Sequence, residues 1–117
     1  MELIGTRISG MHCYTLVAFM IIAMSKIGTI LDSRPAGREV WLGMRPSLPA
    51  DPATNITVDF QGVHLLTPSF ADEFITNLLE TFPRHVRWEN VRPGSVIART
   101  LKFLEPEWRE RQLLPLD

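Results

Sequence analysis

Few residues in this 117-residue chain have types and spacing suited to chemistry. The most suggestive set is Thr67, Pro68 and Ser69, two hydroxyls flanking a proline where a strand-like run gives way to an amphipathic segment. A helix start exposes unsatisfied N–H groups and the positive end of the helix dipole, so it can hold an anion. A serine placed there can become one by phosphorylation. With Thr67 as N-cap, Pro68 takes the first helical position, where its missing N–H costs nothing, and Ser69 the second. With Ser69 as the cap instead, Asp72 takes the capping-box position. Either is an ordinary helix start, and a plain cap is the simpler reading of the spacing. Asp72 and Glu73 then fall in the first turn, where both offset the dipole. Adjacent helical positions diverge by about 100°, so the spacing does not aim both carboxylates at one reacting atom. A phosphate on Ser69 would be repelled by Asp72, altering a partner surface through charge alone.

The other reactive types are scattered. Asp59, between Val58 and Phe60, is either a polar anchor at a strand end or a site residue. His12, His64 and His85 lack metal-ligand spacing, and no Gly-rich phosphate loop is present. Arg34 and Arg38 lie near the start of another helix, the wrong end for the dipole. Solvation is the bland reading for them, and recognition of an acidic or phosphorylated partner the sharper one. A small hydrolase built on Asp59 or His64 ranks low, because no nucleophile–base pair can be argued. These residues predict no enzyme, no metal and no cofactor.

Composition narrows the classes further. The formal net charge is -1 and the hydrophobic fraction 45%, balanced values that argue against a nucleic-acid binder. The length suits one domain with a core that needs no disulfide, and the single Cys13 fits a reducing cytoplasm. The apolar run 14–24 is shorter than the roughly 20 residues of a membrane span. It matches the length of a signal-peptide core, but the flank at Ala23-Met24-Ser25 is a poor cleavage site and Glu2 spoils a basic start. A buried strand is the favoured reading. Residues 1–19 would then be an appendage or an over-extended start, residues 20–104 the domain and residues 105–117 a tail.

The elements that must position these residues alternate. A strand at 17–24 leads through Asp32-Ser33, either of which can cap a helix with Pro35 in its first turn. Ala36, Val40 and Met44, widened by Trp41, form that helix's apolar face, and Pro46 stops it. Strand periodicity over 56–60 places a strand centrally in a sheet. In the helix 69–82, Phe70, Phe74, Ile75, Leu78, Leu79 and Phe82 share one face, with Asp72, Glu73, Thr76, Asn77 and Glu80 largely on the other. A strand at 85–89 and a helix at 93–104 follow, and the tail with Trp108 and Leu113 either extends that helix or covers an edge. Strand–helix alternation predicts an α/β layer of about four strands with helices packed on the sheet.

The string VDFQGV followed by LLTPSFADEF resembles the STAS-like (DUF4325-type) family of small prokaryotic domains, relatives of the STAS domain of anti-sigma-factor antagonists. LDSRPAG at 31–37 and Asn90-Val91 match the same pattern, and SFADE at 69–73 is its most specific part. In the related antagonists a strand with a Gly-Val turn leads to a helix beginning Asp-Ser-Ser-Gly, whose second serine is phosphorylated by an ATPase-type kinase. By position, Thr67 takes the aspartate place, Pro68 the first serine, Ser69 the phosphorylated serine and Phe70 the glycine, so Ser69 alone is preserved. The resemblance implies a cytoplasmic, non-enzymatic regulatory module that binds a histidine-kinase-like ATPase or another regulatory protein, with no nucleic acid and no stable membrane insertion. Ser69 would be the phosphorylation candidate, and Thr67, Phe70, Asp72, Glu73, Arg34 and Arg38 the partner-binding residues. The rival reading is a small-ligand or nucleotide module holding an anion at Thr67–Ser69.

Overall fold

In the computed structural model, which describes residues 4–9 and 17–116, strands and helices alternate as the periodicity predicts. Strands β1 (Ile4–Ser9), β2 (Val17–Ala23), β4 (Asn55–Asp59) and β6 (Val86–Glu89) form one sheet in the order β1-β2-β4-β6. β1 runs antiparallel to β2, whereas β2, β4 and β6 are mutually parallel. Short strands β3 (Ile30–Leu31) and β5 (Leu65–Leu66) pair in parallel as a second sheet. The parallel order requires a crossover between β2 and β4 and another between β4 and β6. Helix α1 (Arg34–Met44) supplies the first, helix α2 (Pro68–Thr81) the second, and helix α3 (Val96–Glu110) follows β6.

β4 is central, as its Ile56, Val58 and Phe60 suggest. Register lines up Met20, Ile56 and Val86 in one inward row and Ile22, Val58 and Trp88 in the next. These rows join the buried helix faces in a single hydrophobic core. β2 is not buried on both faces: Ile21 is exposed and sits level with Thr57 and Arg87 on the other side of the sheet. The apolar run 17–24 therefore alternates in burial, because helices cover only one of its faces. Of the run read as a possible signal core, residues 17–23 are β2, while Tyr14, Thr15 and Leu16, like His12 and Cys13, lie outside the described residues.

Two helices depart from their expected form. The buried face of α1 is Gly37, Trp41 and Met44, with Val40 at its margin; Ala36 is exposed. The cause is close approach to α2, since a Cβ on Gly37 would lie 2.7 Å from the Phe70 carbonyl oxygen and 3.1 Å from Glu73 Cβ. α3 does not stop near Leu104 but continues through Pro106 to Glu110. An interior proline costs about 3 kcal/mol. Trp108, 1% exposed, offsets it, since burying an indole of about 200 Å² is worth roughly 5 kcal/mol. Leu113 is also buried, and its carbonyl accepts from Arg84 N–H at 2.9 Å. The described part of the tail, 105–116, thus both extends a helix and covers an edge.

Candidate functional site

The start of α2 is held from two sides before its first turn begins. Pairing of β5 with β3 fixes the approach, and the Thr67 N–H continues the ladder to the Leu31 carbonyl at 3.0 Å. From α3, the buried Thr100 hydroxyl donates to the Leu66 carbonyl at 2.6 Å. Thr67 Oγ1 accepts from the Phe70 N–H at 3.3 Å, so Thr67 is the N-cap and Pro68 opens the helix. The alternative with Ser69 as cap and Asp72 in a capping box does not form. Ser69 occupies the second helical position, half-buried, and its hydroxyl has no partner among the described residues. The Ser69 hydroxyl is therefore not spent on capping the helix.

Beside it lies a charged cluster joining three helices. Arg34, the first residue of α1, donates through Nη1 to Asp72 Oδ2 at 2.9 Å and Glu73 Oε2 at 3.0 Å. The two carboxylates therefore do meet at one atom, contrary to the divergence expected from adjacent helical positions. Their side chains are long enough to close that angle around a third group, and the tight α1–α2 crossing at Gly37 puts the guanidinium within reach. Asp72 Oδ1 accepts from the Thr76 hydroxyl at 3.2 Å, and Thr76 Oγ1 accepts from Trp108 Nε1 at 2.8 Å. Thr76 is thus buried at 8% exposure beneath α3, not on the solvent face that helical periodicity gave it. The hydrogen bonds to Asp72 and then Glu73 raise the Arg34 pKa above its ordinary value, so the cation persists at any physiological pH. With Arg34 half-exposed at 52%, this pairing orients side chains more than it stabilises the fold.

Not every expected contact residue belongs to this surface. Phe70 is 1% exposed and packs against Phe74 with ring centroids 6.2 Å apart, so it is a core residue and no partner can touch it in this fold. A helix that buries its first turn against Gly37 must direct that position inward. Arg38 is exposed on α1 and takes no part in the cluster. Thr67 and Ser69 are half-buried, as are Asp72 and Glu73. Of the two residues in the enzyme rival, the Asp59 carboxylate accepts from the Gln61 N–H at 2.9 Å and from Asn90 Nδ2 at 2.7 Å, while His64 is an exposed loop residue. Among the described residues, no group of three His, Cys, Asp or Glu side chains is placed to hold a metal ion.

A second feature escaped the sequence. Beyond the carboxyl ends of β4 and β6, the turn 61–64 and the loop 90–95 enclose a cleft of about 670 Å³. Asp59 bolts these two segments together through the hydrogen bonds just given. Gly62 and Gly94 read as turns in the sequence, and both adopt the positive φ that glycine favours, 85° and 79°. Nothing in the sequence shows that the two turns face each other, because parallel pairing of β4 with β6 brings them together.

Residues 36–94, half of the chain, match the family model described as a STAS-like domain of unknown function. No curated protein and no solved structure matches the chain. The matched segment takes in α1 from its third residue, β4, all of α2 and β6. Among the described residues, no helix is long and apolar enough to cross a membrane.

Proposed function

The chain belongs to the STAS-like (DUF4325) domain family, and from that premise we propose that it is a cytoplasmic, non-enzymatic regulatory module that works by docking another protein. The docking surface is the start of α2 with the adjoining end of α1: Thr67, Ser69, Asp72, Glu73 and Arg34. Ser69 is the modifiable residue, and the partner is a histidine-kinase-like ATPase or a comparable regulatory protein, by likeness to the anti-sigma-factor antagonists. One observation carries the reading. The Ser69 hydroxyl sits at the positive end of a helix, is relieved of capping by Thr67, and makes no hydrogen bond among the described residues.

A phosphate on Ser69 lies three and four residues before Asp72 and Glu73, the separations at which helical side chains are neighbours. It therefore adds about two negative charges to a patch whose two carboxylates share one arginine. A partner that prefers either charge state can distinguish them. The test compares Ser69→Asp and Ser69→Ala for binding to a cognate ATPase-like partner. Affinities separated by about ten-fold or more support the switch, and equal affinity for both variants removes it.

A further inference from the structure

The cleft beyond β4 and β6 shares no lining residue with the Ser69 surface, and its charge is one-sided. Most of its accessible lining is polar, and its apolar contacts come from the half-buried Val63 and Val91 and the exposed Val96, with the buried Phe60 and Ile97 beneath. Among the described residues that line it, Arg92 alone carries a formal charge, and none is a carboxylate. The remaining polar groups can all donate. Ser95 Oγ accepts the Ala98 N–H at 3.1 Å as the cap of α3, which occupies an oxygen lone pair and leaves the hydroxyl proton free to donate. Gln61 offers an amide and His64 an imidazole from the facing turn. By contrast Asn90, also in the wall, spends a side-chain N–H on Asp59 and so serves the architecture.

The walls are built before any ligand arrives. Asp59 ties the turn at Gln61 to the loop at Asn90, the Val63 N–H closes onto the Phe60 carbonyl at 3.0 Å, and the Ser95 N–H closes onto the Arg92 carbonyl at 3.1 Å. Binding therefore requires little ordering of the protein. The volume falls within the range of small-molecule sites, and the carboxyl ends of parallel strands are where α/β folds place them.

We propose that this cleft binds a small oxyanion carried on a small apolar body, its phosphate or carboxylate held by Arg92 and Ser95 and its body set against Val63, Val91 and Val96. The guanidinium offers two parallel N–H donors, the geometry that suits either headgroup. The site makes no use of Ser69 or of a protein partner, so it stands or falls apart from the regulatory reading.

The full chain, labelled with 15N, is titrated with phenyl phosphate, benzoate and the neutral benzyl alcohol while amide shifts are followed. Saturable shifts confined to residues 61–64 and 90–97, produced by one or both anions and not by the alcohol, are expected; the tighter of the two identifies the headgroup. Arg92→Gln weakens that binding about ten-fold or more, and Arg92→Lys recovers part of it. Arg92 is exposed, so both variants keep the native spectrum. Shifts that do not saturate, equal binding of benzyl alcohol, undiminished binding by Arg92→Gln, or shifts centred on Arg34 and residues 69–73 would each overturn the proposal.

Discussion

Adding one methyl group at Gly37 should destabilise this protein, while adding one six residues later at Gly43 should stabilise it. Both glycines lie inside α1, with no positive φ at either. A Cβ at Gly37 meets the Phe70 carbonyl oxygen at 2.7 Å, Glu73 Cβ at 3.1 Å and Phe70 Cα at 3.2 Å. Ordinary contact begins at 3.4 Å, and the first obstacle is backbone in the opening turn of α2, which no rotamer change relieves. The helices must separate by several tenths of an ångström, and because the obstacle is backbone the cost falls in the upper part of the overpacking range, about 2–3 kcal/mol. Alanine's better helix propensity returns just under 1 kcal/mol, leaving Gly37→Ala about 1–2 kcal/mol less stable than the parent. A Cβ at Gly43 meets nothing within 4 Å, so Gly43→Ala keeps its whole gain of about 0.5–1 kcal/mol. For a chain of this size 1 kcal/mol is about 4 °C in Tm, so the two variants should melt roughly 6–12 °C apart. Thermal unfolding followed by circular dichroism, with urea titration as a second measure, reads the difference. If Gly37→Ala melts at or above the parent, the close crossing is not what fixes α1 against α2, and the explanation of how Arg34 reaches two carboxylates loses its basis.

Further outcomes follow from other contacts. Thr76→Val leaves the buried Trp108 N–H without an acceptor and should cost about 1–3 kcal/mol in urea unfolding; an unchanged midpoint would mean the indole finds another partner. Asp59→Ala frees the two cleft walls, so amides at 61–64 and 90–95 should exchange about ten-fold faster or more while the core of α2 is unaffected, and uniform exchange across the chain would contradict the local role given to Asp59. Removing residues 106–117 uncovers the core where Trp108 and Leu113 sit, and should abolish cooperative unfolding; a sharp native-like transition would show these residues to be dispensable. Arg34→Gln should leave the melting temperature within experimental scatter, because the guanidinium is exposed, yet change affinity for a partner docked at Ser69.

How much of this was legible beforehand depended on the distance over which each feature is decided. The start of α2 was open to reading because Thr67, Pro68 and the apolar stripe from Phe70 onward are local, and local caps obey local rules. The central place of β4 was also readable, from Ile56 and Val58. The phase of α1 was not, since hydropathy scores Gly37 as neutral and only the helix crossing reveals it as a contact. The choice between a tail that extends α3 and one that covers an edge could not be made until Trp108 was seen bonded to Thr76 of α2. Asp72 and Glu73 looked divergent because Arg34, which unites them, is 38 and 39 residues away in sequence. The wall-to-wall meeting of Gln61 and Asn90 belongs to the same category. Ser69 was recognisable as a free hydroxyl only once Thr67 was known to be the cap.

The link from Trp108 through Thr76 to Asp72 has a bearing on biosynthesis. A ribosome delivers α1 and α2 well before α3, so the nascent chain carries one flank of α2 uncovered until the segment through Leu113 has emerged. Only then does Thr76 gain its indole donor, and Asp72 a neighbour fixed in place. Premature arrest of translation therefore yields a polypeptide whose carboxylate patch is incompletely assembled, and quality control meets a sticky groove in place of a finished product.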